Sequence, residues 1–168
     1  ILLSLAPAAA RSELFSPRLA LVQALPKGAK MDTILRQAVE AGVEAFLPIW
    51  TKHCVAREKD GRESAAKSER RRAIVEEALQ QSGSALRTRV FAAANIETLA
   101  ATLEAAGFPP ERSLLLMFHE LPIAQKTLHE YCAGETLPTV LLIGPEGGFA
   151  QEETEAFWAM GFKPVHFE

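Results

Sequence analysis

Seven residues near the end of the chain, Ile143-Gly144-Pro145-Glu146-Gly147-Gly148-Phe149, combine types that suit a binding turn. Three glycines around one proline and one carboxylate make a tight turn whose main chain a ligand can approach closely. Its N–H and C=O groups can then read a small polar molecule with no side chain in the way. The turn lacks a Gly-Lys-Ser/Thr ending, which argues against a P-loop, and its glycines lack the G-x-G-x-x-G spacing of a dinucleotide fold. A carboxylate at its centre repels phosphate. The ligand it suits offers donors and positive charge, such as an amino acid or a sulfonium. The plainer alternative is a strand-to-helix turn with no ligand.

A second group, His119-Glu120, follows the apolar run Ser113–Phe118. In open α/β sheets, ligands sit beyond the carboxyl ends of the strands. If the strands ending at Phe118 and Ile143 are neighbours, His119 and Glu120 face the same crevice as the glycine turn. The competing reading is a strand end whose polar residues only mark the exit from the core.

Charge supplies a third group. The net charge of −3 divides into +4 over residues 1–103 and −7 over residues 104–168. The positive excess concentrates between Lys52 and Arg72, where His53 and the run Arg70-Arg71-Arg72 could meet a phosphate backbone. A solvated loop and helix face is the alternative. His129 and His166 have no partner at metal spacing and read as surface or packing residues. Trp50 and Trp158 read as core or dimer-interface residues rather than base-stacking platforms.

Short β-like runs alternate with helical stretches, the pattern of an α/β domain with a mainly parallel sheet and helices on both faces. Strands are expected at Leu19–Leu25, Val43–Trp50, Leu86–Ala92, Ser113–Phe118, Thr139–Ile143 and Lys163–Phe167. A helix from about Lys30 to Ala41 stops at Gly42, a suitable left-handed position. Residues 56–66 read as a loop, followed by a helix to about Gln81. Asn95 is a good N-cap for a helix with Ile96, Leu99, Leu103 and Ala106 on one face. Leu121 to Cys132 is expected to be helical, and the last helix runs from about Gln151 to Met160. Because Ser113–Phe118 is apolar on successive residues, both its faces should be covered.

At 168 residues and 48% hydrophobic composition, the chain can fill one core. No apolar run reaches the roughly 18 residues of a membrane span. The opening Ile1–Ala10 has no basic start and reads as an exposed linker or the edge of a preceding domain rather than a signal peptide. Cys54 and Cys132 lie far apart with no C-x-x-C, which fits a reducing cytoplasm and offers no metal site.

Taken together, strand–IGPEGGF–helix preceded by a strand ending in His-Glu resembles the SPOUT class of methyltransferases. More narrowly, it resembles the bacterial enzymes that methylate N3 of a uridine in small-subunit (16S) ribosomal RNA. Leu25-Pro26-Lys27-Gly28-Ala29-Lys30-Met31-Asp32, Glu40-Ala41-Gly42-Val43 with Leu47-Pro48, and Ile74, Glu77-Ala78, Gln81-Ser82 agree with that family in order and spacing. The resemblance spans roughly residues 19–168. It implies a C-terminal trefoil knot, an exception to the rule that chains avoid knots. It also implies S-adenosyl-L-methionine as methyl donor, ribosomal RNA as substrate and a homodimer. On this resemblance, residues 16–168 form the methyltransferase domain, and residues 1–15 are a linker or the remnant of an N-terminal PUA-like barrel. The resemblance assigns Ile143, Gly144, Pro145, Gly147 and Gly148 to the cofactor, with His119 and Glu120 lining the same pocket. Glu146 either meets the cofactor's ammonium or fixes the turn by local hydrogen bonds. No catalytic base is identified, and Glu120 is the candidate to position or deprotonate the uridine.

The sequence also departs from the family. Ser84, Gln37, Ala41 and His53 stand where arginine, lysine, leucine and arginine are usual. Ala150 replaces a Ser/Thr cap, a loss of about 1 kcal/mol unless Glu153 reaches back as half of a capping box. The family's closing "L-G-x-x-I-L-R-x-E-T-A" segment is expected after Glu168, so the resemblance implies an incomplete knot and cofactor site. Two alternatives follow: a divergent member that binds RNA or dimerises without catalysis, and a doubly wound nucleotide-binding domain. The second fits poorly, because such folds place the glycine loop after the first strand.

Overall fold

In a computed structural model, residues 18–54, 65–84, 86–118, 126–134 and 136–166 are described. Strands β1 (Leu19–Ala24), β2 (Ala45–Ile49), β3 (Arg89–Val90), β4 (Leu114–Phe118), β5 (Lys126–Thr127), β6 (Thr139–Ile143) and β7 (Lys163–His166) form one sheet. Its order is β3-β2-β1-β6-β4-β7-β5, and every pairing is parallel. β1 and β2 are almost wholly buried, as continuous apolar runs covered by helices on both faces must be.

The helices are α1 (Lys30–Glu40), α2 (Ala65–Ser82), α3 (Ile96–Ala105), α4 (Leu128–Cys132) and α5 (Gln151–Met160). Crossovers between parallel strands are right-handed. The path β1-α1-β2-α2-β3 walks outward in one direction, so α1 and α2 share a face. The moves β3-α3-β4 and β6-α5-β7 run the other way and put α3 and α5 on the opposite face. The packing agrees: α1 lies on α2, and α3 on α5. α1 buries Met31, Leu35, Ala38 and Val39, positions one and two turns apart on a single stripe. Gly42 closes it with φ 78°. Asn95 caps α3 in a reciprocal box with Thr98, and Leu99, Leu103 and Ala106 are fully buried. β4 is an interior strand between β6 and β7, with Leu114–Met117 buried.

Two elements depart from the sequence expectation. The strand expected over Leu86–Ala92 shrinks to Arg89–Val90, because β3 is the sheet edge and pairs only with β2. Of the helix expected over Leu121 to Cys132, residues 121–125 lie outside the described residues, Lys126–Thr127 are strand, and α4 begins at Leu128. Thr127 and Glu130 form a capping box that fixes that start, while Lys126–Thr127 pair with β7 as an edge strand. Trp158 is 44% exposed, which rules out the core half of its expected role, whereas Trp50 packs partly against the core. His129 is exposed on α4, and His166 lies in β7.

Candidate functional site

β4 and β6 pair in register through Phe118 and Ile143, so the two strands end side by side. The condition set by the sequence, that the two strands be neighbours, is therefore met, and both end at the same carboxyl edge of the sheet. His119 and Glu120 themselves lie outside the described residues.

The turn after β6 is closed by a hydrogen bond from the Gly148 N–H to the Pro145 carbonyl, 3.0 Å, with Gly148 at φ 66°. The neighbouring glycines answer to packing. A Cβ at Gly144 would stand 3.1 Å from the Phe149 ring, which packs edge-on against Phe157 at 5.1 Å. A Cβ at Gly147 would stand 3.3 Å from the Cβ of His53. The main chain at both glycines is thus brought close to ring-bearing side chains, and the turn is shaped before any ligand arrives.

Side chains from other loops hold it there. His53 Nδ1 lies 3.0 Å from the Gly147 carbonyl and 3.2 Å from that of Gly148. A carbonyl only accepts, so Nδ1 carries the proton and donates to both. On the far side, Glu146 accepts from the Lys27 N–H at 3.2 Å and from the Lys30 Nζ at 2.7 Å. The Lys30 ammonium, then the main-chain N–H groups of Glu146 itself and Lys27, hold the Glu146 carboxyl at about 2 against an ordinary 4.5. Hydrogen bonding by Glu146 that fixes structure, one of the two roles expected for it, is present. Much of it braces the loop between β1 and α1 rather than its own turn. Lys30 opens α1, where the helix dipole disfavours a cation, and Glu146 offsets that misfit.

The loop after β2 is pinned as well. Glu153 is 6% exposed; its two oxygens accept from the Ala150 N–H at 2.9 Å and from the Lys52 N–H at 2.6 Å. The first bond is the half capping box expected in place of a side chain at Ala150. The second was not legible in sequence. Lys52 Nζ also pairs with Glu152 at 2.5 Å, which raises the lysine pKa and lowers that of the glutamate. Cys54 is buried, with Sγ 3.1 Å from Thr51 Oγ1, so it closes the same loop from within.

The arginine run lies elsewhere. A cleft of about 310 Å³ opens beyond the carboxyl ends of β1 and β2, between the start of α1 and α2. Its walls include Leu25, Pro26, Met31 and Trp50, while Lys67, Arg70 and Arg71 stand along it from α2. Arg70 bonds Asp32 across the cleft at 2.5 Å. A second, more polar groove of about 260 Å³ flanks α2 on its other side, lined by Arg71, Arg72, Arg87 and Phe91. Arg71 belongs to both. The three consecutive arginines therefore fan around α2 rather than forming one patch. His53 is drawn away from them to the glycine turn.

Residues 14–168 match the family model described as "RNA methyltransferase domain". Among curated proteins, the chain is similar to Ribosomal RNA small subunit methyltransferase E of Mycobacterium bovis. Identity is 32% over 148 residues, covering 86% of this chain and 53% of that protein. The protein of the same name from Synechocystis is 33% identical over 144 residues, covering 84% and 44%. The chain thus spans about half the length of the curated relatives it matches. Among solved structures, it resembles Ribosomal RNA small subunit methyltransferase E of Neisseria gonorrhoeae bound to S-adenosyl methionine. The TM-score is 0.74 at 25% identity, over 91% of this chain and 58% of that one. A Legionella pneumophila methyltransferase in complex with the same cofactor gives 0.75 at 26% identity, over 90% and 58%.

Proposed function

Because this chain belongs to the RNA methyltransferase domain family, we propose that it transfers a methyl group from S-adenosylmethionine to N3 of a uridine in small-subunit ribosomal RNA. The observation that carries the reading is the glycine turn after β6, braced by His53 and Glu146 and set beside the end of β4. A binding turn that needs no rearrangement loses less freedom on taking a ligand. The chemistry of the turn agrees with the cofactor, since it offers main chain and one carboxylate rather than phosphate-binding cations. The similar proteins from Neisseria and Legionella carry that cofactor.

When bound, S-adenosylmethionine supplies an electrophilic methyl group. The protein's part is to hold the uridine nitrogen in line with it and to remove the imino proton. Ile143, Gly144, Pro145, Gly147 and Gly148 are proposed to hold the cofactor through their main chain. Glu146 and His53 hold that main chain in shape. Glu120 is proposed to position or deprotonate the uridine; a Glu120→Gln protein with an unchanged rate and pH profile would remove it from that role. Arg70, Arg71 and Arg72 are proposed to meet RNA phosphates. The reading includes a homodimer, a trefoil knot and a place in the cytoplasm.

The test has two parts. Calorimetry with S-adenosylhomocysteine, on this chain and on a form extended past Glu168, should give saturable binding by at least the extended form. Nucleoside analysis of small-subunit RNA incubated with that form and the methyl donor should then yield 3-methyluridine. No binding by either form removes the cofactor assignment, and methyl at another atom removes the uridine-N3 assignment.

A further inference from the structure

The cleft between α1 and α2 plays no part in the cofactor assignment. It opens beyond β1 and β2, on the far side of the Glu146–Lys27/Lys30 brace from the glycine turn. At about 310 Å³ it stands at the lower end of small-molecule sites, which run from roughly 300 to 1,000 Å³. Its composition is divided. Leu25, Pro26, Met31 and Trp50 give an apolar interior, Asp32 adds one carboxylate that is paired with Arg70, and the cationic side chains all come from α2. Trp50 has a buried indole N–H with no hydrogen-bond partner among the described residues, an unusual cost for a buried donor.

A flat, apolar-faced ligand with an attached anion matches that division. We infer that the cleft receives one unstacked nucleotide of the RNA substrate, with its base against Trp50 and Met31 and its phosphate at Lys67, Arg70 and Arg71. Proteins that read single-stranded nucleic acid combine an aromatic face for the base with cations along the backbone. Both parts occur here within one cavity. The groove on the other flank of α2 continues the cationic path through the shared Arg71 to Arg72 and Arg87, so adjoining phosphates have somewhere to lie. The brace gives the geometry a consequence. Lys27 and Lys30 are anchored to the glycine turn, and Gly28, Ala29 and Met31 between and beside them line the cleft. The nucleotide and the methyl donor are thereby registered against one short segment.

The inference rests on the RNA methyltransferase reading, and fluorescence separates the two. The chain has two tryptophans, and Trp158 is exposed on α5, away from this cleft, so Trp158→Phe leaves Trp50 as the sole reporter. A short single-stranded RNA containing uridines should quench Trp50 saturably, in parallel with binding followed by anisotropy. The same sequence as a duplex should leave Trp50 unchanged, and free uridine monophosphate should quench it only at far higher concentration. Ala29→Phe, at an exposed position of the wall, should weaken single-strand binding roughly tenfold and leave S-adenosylhomocysteine binding intact. RNA binding with Trp50 silent and Ala29→Phe without effect overturns the cleft assignment and leaves the methyltransferase reading standing. Tight quenching by the free nucleotide with none from RNA also overturns it, in favour of a small-molecule site. If neither RNA nor S-adenosylhomocysteine binds, both readings fall together.

Discussion

Two regions of the same sheet edge are built in opposite ways. Beyond β6 the protein presents main chain, shaped by glycines and stapled by His53, Glu146 and Glu153. Beyond β1 and β2 it presents side chains: an apolar pocket with Lys67, Arg70 and Arg71 along one side. The first suits a ligand of fixed shape, because a main chain held at three points has little freedom left to lose on binding. The second suits a flexible polyanion, whose phosphates can be met by long cationic side chains in several geometries. The charge split of the chain, positive before residue 104 and negative after it, is the same division seen in composition. Perturbing one region should therefore leave the other largely intact.

The largest effect is expected at the glycine turn. Gly148 sits at φ 66°, and Gly148→Val puts a β-branched residue into the left-handed region. The turn should open, at a cost of about 1–3 kcal/mol. S-adenosylhomocysteine affinity, read by calorimetry, should fall by about one to two orders of magnitude, because re-forming the turn on binding consumes that same free energy. RNA affinity should change little. Equal losses of both ligands would mean that the two regions are one site.

Next comes the arginine face. Arg70→Ala with Arg72→Ala should weaken RNA binding while S-adenosylhomocysteine binding persists. The slope of log affinity against log salt should fall by about one for each phosphate that is no longer neutralised. An unchanged slope would show that these arginines serve only the exposed helix face. Arg70 needs the closer watch, since its bond to Asp32 at 2.5 Å already occupies part of the guanidinium.

A smaller, purely structural effect belongs to Glu153. Glu153→Ala deletes the acceptor for two main-chain N–H groups, Ala150 and Lys52, at a partly buried junction. Losing the cap costs about 1 kcal/mol. With the orphaned donor on Lys52 the Tm should drop by several degrees, and a thermal melt checks this. No change would mean that water replaces the carboxylate.

The contrast between regions also explains what could be read from the sequence. Periodicity and cap chemistry exposed most of the sheet and helices, because buried runs such as Leu114–Met117 and caps such as Asn95 act locally. Boundaries failed where distant pairing decides them, at the edge strands β3 and β5. The glycine turn was legible for the same local reason. Its braces were not: Lys30 meets Glu146 across 116 positions, and Lys52 meets Glu153 across 101. His53 shows the limit most clearly, since it opens a lysine- and arginine-rich stretch of sequence and its partners in space are two glycine carbonyls. A helix opening on lysine, as α1 does, is the one local oddity that signals a missing anion. The cleft had no signal at all, for Trp50 and Arg70 become neighbours only when α2 folds over α1.

The smallest effect tests the brace that joins the regions. Glu146 titrates at about 2 rather than 4.5, because Lys30 and two main-chain N–H groups favour its charged form. A depressed carboxyl pKa adds stability that is complete above 4.5 and lost as pH falls through about 2. The brace is therefore intact at neutral pH and weakens only in strong acid. Both partners are partly exposed, Lys30 at 64% and Glu146 at 34%, so the gain is screened and small. NMR of the Glu146 carboxyl carbon should give a midpoint near 2 in the parent, rising toward 4.5 in Lys30→Ala. If the parent midpoint already lies near 4.5, the two loops are not held together in solution. The cleft and the glycine turn would then move independently, and registration of nucleotide against methyl donor would have to come from elsewhere in the fold.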